Sequence, residues 1–179
     1  MTRPYTLRRR AEKQADTTRR IVRAAVDLHS TIGPSGTTIS AIAERAGVQR
    51  HTVYTHFPDE PSLFRACSAH FRELHPFPDV SGLDLPSALD AIYAFYEGVE
   101  HALTLFVRDA ELYPEQAAAR LRALSRVAHG LAAPLGRKKV VRAAVGHAIA
   151  FETWRSLTGR EGLSRRQAVD AMVAFVHSV

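Results

Sequence analysis

A chain of 179 residues, 46% hydrophobic and 23% charged, can bury a sizeable core as one compact domain or as a small domain fused to a larger one, which excludes wholesale disorder. No apolar run approaches the roughly 20 residues of a membrane span, and the single cysteine, Cys67, excludes an internal disulfide and a cysteine-built zinc site. The formal net charge is +6, and residues 1–23 alone hold eight basic residues against Glu12 and Asp16, an excess equal to the whole. Such a basic arm attracts a polyanion, most often nucleic acid, or serves as a solvated tail that aids solubility. No apolar segment follows it, so no signal peptide is expected and a soluble cytoplasmic protein is. Cys67 reads as a small buried hydrophobe.

Helical periodicity dominates the chain. Ile21, Ala24, Ala25, Leu28 and Ile32 fall on one helix face, with Asp16, Thr17 or Thr18 as cap and Gly33–Gly36 as the stop. Ile39, Ile42, Ala43 and Ala46 repeat the pattern between a Thr37 or Thr38 cap and Gly47. A third short helix starts near Gln49 and turns Val53 and Phe57 inward. Pro58 disfavours helix at Phe57 and can open a fourth helix, which carries Leu63, Phe64, Cys67 and Phe71. Beyond Pro86 the apolar spacing predicts helices through 88–106, 117–131, 141–154 and 168–179. No segment alternates with a two-residue period between hairpin turns, so the expected class is all-α. The expected domains are a basic flexible arm at 1–14, a DNA-binding unit at 15–58 and a helical body at 59–179.

Two short helices across a Gly turn, braced by a longer first helix, make a helix-turn-helix unit. Inward Val48, Val53 and Phe57 leave Gln49, Arg50, His51, Thr52, Tyr54 and Thr55 around the exposed side. Arg and Gln suit bidentate contacts to guanine and adenine edges. Thr and Tyr hydroxyls and helix N-terminal amides suit phosphate oxygens. Thr38 reads as both cap and phosphate contact. His56 reads as a groove or phosphate contact or as a packing residue at the helix end.

The stretch TTISAIAERAGVQRHTVYTHFPDEPSLF closely resembles the DNA-binding region of the TetR family of bacterial transcriptional regulators. Ile39, Ile42, Ala43, Ala46, Gly47, Val48, Thr52, Val53, Tyr54, His56, Phe57, Leu63 and Phe64 all match the family pattern. The motif covers about residues 17–66. Two positions depart from it. His51 stands where the family usually has a small residue, and Pro58-Asp59-Glu60-Pro61 is acidic where the family usually has a phosphate-contacting Lys. The basic arm compensates in this reading.

The resemblance implies that the larger half binds a small effector of unknown identity and forms a homodimer through its last two long helices. The apolar spacing of 140–157 and 165–179 fits either a helix-pair interface or ordinary core packing. Aromatic residues concentrate in the middle helices, and core packing accounts for most of them. The candidate pocket residues are Tyr93, Tyr96, Glu97, Glu100, His101, Phe106, Phe151 and Trp154, with Glu97, Glu100 or His101 as the anchor for a cationic or amine ligand. Residues 79–115 hold eight acids against Arg108, and 116–142 hold seven basic residues and no acid, so the two segments are complementary. Neither Glu97 with His101 nor His70, Glu73 and His75 repeats a metal-ligand pattern, so no metal is expected. Without a phosphate loop, nucleophile elbow or HExxH motif, neither a catalytic residue nor a cofactor is expected. The expectation is a ligand-responsive repressor that binds a palindromic operator in double-stranded DNA as a dimer and has no membrane partner. The alternative is a DNA-binding dimer that answers to no ligand.

Overall fold

The structure is a computed structural model that describes residues 3–136 and 138–179. Among the described residues no strand occurs, and the chain is all-α as the periodicity predicts. Its Cα positions cluster into two compact units. Unit 1 holds residues up to 76 together with 101–113, and unit 2 holds 77–100 with 114–179. The units therefore do not meet at residues 58 and 59, where the domain boundary was expected.

Helix α1 spans Arg3–Thr31. It does not begin at an Asp16–Thr18 cap, and residues 3–14, expected as a flexible arm, are helix; residues 1 and 2 of that arm lie outside the described residues. The physical reason lies in the composition and in two hydroxyls. Arg, Lys, Gln, Glu and Ala are strong helix formers, and Arg8 pairs with Glu12 across one turn at 3.0 Å. Thr17 and Thr18 donate back to the Lys13 and Gln14 carbonyls at 2.9 and 3.0 Å, the bond of a mid-helix residue, and so do not cap.

The turn after α1 depends on Gly33, whose φ of +90° suits glycine. A Cβ there would collide with the Arg108 guanidinium and the Asp109 carboxylate. Those two groups clamp the turn: Ser35 N–H donates to Asp109 Oδ2 at 2.8 Å, and Arg108 Nη2 donates to Ser35 Oγ at 2.9 Å. The Arg108 hydrogen bonds hold the buried Asp109 carboxyl far below the usual carboxylate range, with the Ser35 bonds adding to the effect.

Helix α2, Ile39–Ala46, starts at a Thr38 cap that accepts from Ala41 N–H and stops at Gly47 in the left-handed region, φ 63°. Helix α3 runs Arg50–His56 and helix α4 runs Glu60–Leu74. Pro58 does not open α4. Asp59 is its cap, accepting from Ser62 N–H at 2.6 Å, and Pro61 sits in the first turn. Ile21, Ala25, Ile42, Val53, Leu63 and Cys67 form the core of unit 1. Burial pushes the Cys67 thiol up to about 12, so this cysteine packs as a neutral hydrophobe. Phe64 and Phe71 meet Phe106 edge-on at 6.2 and 5.4 Å, and Tyr113 stacks on Phe64 at 3.7 Å. These rings explain why α4 and 101–113 join unit 1.

Helix α5, Leu85–Arg108, has one non-helical residue, Val99 (φ −129°, ψ 15°). It supplies 85–100 to unit 2 and 101–108 to unit 1. In unit 2 follow α6 (Pro114–Ala132), α7 (Lys139–Ala148), α8 (Phe151–Arg155) and α9 (Arg165–His177). The single helix expected over 141–154 is thus broken into α7 and α8 at Ile149 and Ala150. The break strands two carbonyls, and two buried tyrosines take them: Tyr93 Oη donates to Ala148 O and Tyr96 Oη to Ile149 O, both at 2.7 Å. Burial raises both phenol pKa values, keeping the hydroxyls as donors. Helix α9 opens with a reciprocal capping box between Ser164 and Gln167.

Candidate nucleic-acid interface

Seven residues make α3, and only two of its neighbouring side chains go fully inward. Val53 is completely buried and Phe57, just past the helix, nearly so. With these anchors in the core, helical geometry turns Arg50, His51, Tyr54 and Thr55 to solvent and leaves Thr52 and His56 half-buried. Gln49, at the cap position, is exposed and its side chain makes no capping bond. Tyr54 is 46% exposed, an unusual place for an aromatic ring that serves only packing. Gln49, Arg50, His51, Thr52 and Tyr54 thus lie along one short helix and its cap. Arg50 has no ion-pair partner among the described residues.

His56 and Thr38 stand apart from this group. His56 Nδ1 lies 2.9 Å from Thr18 Oγ1, on α1. Thr18 has one hydroxyl proton and donates it to the Gln14 carbonyl; the His56 Nδ1–H then donates to Thr18, which leaves Nε2 as the open ring nitrogen. His56 thus braces α3 against α1 through Nδ1 while its other ring nitrogen stays free of a protein partner among the described residues. Thr38 uses its hydroxyl oxygen to cap α2 while remaining exposed. Thr18 carried no signal in the sequence, because its partner lies 38 residues away.

Basic charge flanks the reader on α1. Arg19 and Arg20 both bond to Asp16, at 3.2 and 3.6 Å, and Arg45 of α2 pairs with Asp27. Each of these pairs is exposed and therefore weak, so the guanidiniums remain available to exchange a carboxylate for a phosphate. The acidic linker residue Asp59 holds the first turn of α4, and its hydrogen bonds from Ser62 keep its carboxyl below the ordinary range. It is therefore charged, fully exposed, and three residues beyond α3.

The eight residues expected to form an effector pocket are divided between the two units. Tyr93, Tyr96, Phe151 and Trp154 cluster in the core of unit 2, with ring centroids 5.3–6.4 Å apart in contacting pairs. The two tyrosine hydroxyls are already engaged by backbone, while Trp154 Nε1 is buried and makes no hydrogen bond among the described residues. Glu97 lies on the surface and pairs with Arg165 at 2.8 Å beside Asp90, so it does not point inward. Glu100 is exposed. His101 and Phe106 belong to unit 1, where His101 Nε2 donates to the Thr31 carbonyl at 3.1 Å and Phe106 packs on Phe64 and Phe71. The amphipathic spacing was read correctly as helix, but the kink at Val99 sends the two ends of α5 to different units.

The comparison with known families agrees with the geometry. Residues 21–67 match the family model described as bacterial regulatory proteins, tetR family. That span begins within α1, contains all of α2 and α3 and ends within α4, and so covers the braced reader. No curated protein and no solved structure matches the chain. Among the described residues no helix is long and apolar enough to cross a membrane. The segment that carries α2 and α3 is thus similar to the DNA-binding domain of the bacterial regulatory proteins of the tetR family.

Proposed function

We propose that the protein is a cytoplasmic, ligand-responsive repressor that binds a palindromic operator as a homodimer. The observation that carries the reading is the α3 surface: Gln49, Arg50, His51 and Tyr54 are exposed on a helix whose only buried residue is Val53. Arg50 and Gln49 read base edges in the major groove, and Tyr54, Thr52, Thr38 and His56 Nε2 contact phosphates. Two-fold pairing of readers suits successive major grooves. Exposed apolar side chains on α7 and beyond α9, Val140 and Val179, together with Phe175 on α9, offer surface for a second copy. A small effector then favours a spacing of the two α3 helices that no longer fits the operator. The buried, unpartnered Trp154 Nε1 keeps the unit 2 aromatic cluster as a polar handle for that effector.

Selection of genomic fragments by the purified protein tests this, followed by salt titration of the best fragment. A palindromic site with steep salt dependence is expected. Arg50→Ala combined with Tyr54→Phe weakens that site by roughly 1–3 kcal/mol or more without lowering the unfolding midpoint. Enrichment of no sequence refutes operator reading. A regulator that answers to no ligand is separated by thermal shift against a ligand panel, because a ligand at 100 times its Kd stabilises by about 2.7 kcal/mol.

A further inference from the structure

Unit 1 contains a cavity of about 330 Å³, at the lower end of the range for small-molecule sites. It opens beside the turn that leads into α2 and the first turn of α4, the two helices on either side of α3 in the chain. Ile39, Leu63 and Leu112 supply apolar lining, and His29, Glu60 and Tyr113 supply polar groups. Phe64 backs two of the lining rings: His29 lies 5.5 Å from it, and Tyr113 stacks on it at 3.7 Å, 5° from parallel.

The wall and the charge of the cavity define what fits it. His29 is 5% exposed, and its Nδ1 makes no hydrogen bond among the described residues. That nitrogen is closed to solvent, so His29 serves the cavity as wall and not as a direct partner of an occupant. Glu60, in the same lining, forms no ion pair among the described residues. No Lys or Arg side chain lines the cavity. Burial, and after it the Glu60 carboxylate, raises the Tyr113 hydroxyl, whereas Asp109 is paired with Arg108, so Glu60 supplies the uncompensated negative charge of the lining. Leu112, 57% exposed, forms an apolar rim.

We propose that this cavity binds a small organic amine, its apolar body between Ile39, Leu63 and Leu112 and its ammonium held by Glu60. Such a ligand bears on the entrance to α2 and the start of α4, and so acts inside the DNA-reading unit itself. The proposal stands apart from the operator reading, since binding is measured on the full-length protein without DNA.

The test is a heteronuclear NMR titration with 2-phenylethylamine and its uncharged counterpart 2-phenylethanol. Saturable shifts confined to amides around Thr37, Leu63, Leu112 and Tyr113 are expected for the amine, with the alcohol at least about tenfold weaker. Glu60→Gln, an exposed change at a helix start, reduces amine affinity by about tenfold and leaves the alcohol's unchanged. Leu112→Ala weakens both ligands, and the unfolding midpoints of both variants confirm folding. No saturation by about 10 mM amine, shifts centred in unit 2, equal binding of amine and alcohol, or indifference to Glu60→Gln in the folded variant would each overturn the proposal.

Discussion

At the residue scale, His29 ties the stability of the reader to pH. Burial lowers its pKa from 6.5 to about 4, with the Asp109 charge opposing the shift. The folded form holds a neutral ring. As pH falls from 6.5 toward 4 the unfolded chain takes up a proton that the folded chain refuses, so stability present above pH 6.5 is progressively lost. The loss is about 1.4 kcal/mol per pH unit, about 3 kcal/mol across the window. Urea unfolding of wild type and His29→Phe at pH 7 and pH 4.5 measures it. The wild type should lose more stability than the variant over that interval by about one proton's worth; identical losses would show that His29 is not buried neutral. The same residue reports why one imidazole among nine matters, since His51 and His177 are exposed.

At the scale of elements, the capping and breaking of helices decide local stability. Asp59 couples a structural role to an electrostatic one, because it caps α4 through Ser62 and places a carboxylate next to the reader. Asp59→Ala is expected to lower the melting midpoint by removing the cap. Asp59→Ser keeps a capping oxygen and removes the charge, so stability holds while affinity for the selected fragment rises at low salt. Anisotropy titrations that give equal affinities for wild type and Asp59→Ser would remove the linker from the electrostatics of DNA binding. In unit 2 the break between α7 and α8 depends on Tyr93 and Tyr96. Tyr96→Phe leaves the Ile149 carbonyl buried without its donor and should cost about 1–3 kcal/mol, read from denaturant midpoints. A neutral result would mean that water replaces the hydroxyl.

At the scale of the molecule, charge and covalent connection organise the protein. The excess positive charge at the start of the chain lies on α1, the helix that also braces α3 through Thr18 and His56. Deleting residues 2–10 removes Arg3, Arg8, Arg9 and Arg10 and should flatten the slope of log K against log salt by up to about 3–4 units per protomer. The Val53 and Phe57 anchors are untouched, so the preferred operator should be unchanged. An unaltered slope would return this segment to the role of a solvated tail. Helix α5 contributes to both compact units, so a change in its course at Val99 is covalently common to the reader and to the body.

Local chemistry in the chain was enough for the reader. The Thr38 cap, the Gly47 stop and inward Val53 and Phe57 are decided within a few residues, and each is found where the spacing places it. The same locality made the N-terminal boundary of α1 misleading, because threonine is a good cap and is also tolerated in mid-helix when it bonds back one turn. Long-range partners were out of reach of any periodic pattern. Glu97 meets Arg165, Asp109 meets Ser35, and Tyr96 meets the Ile149 carbonyl, all across more than 50 residues. An apolar stripe says that a face is covered and not by what, so the body's aromatics were legible as core, whereas their division between two units, the α7–α8 break and the cavity beside His29 arise only when distant helices pack together.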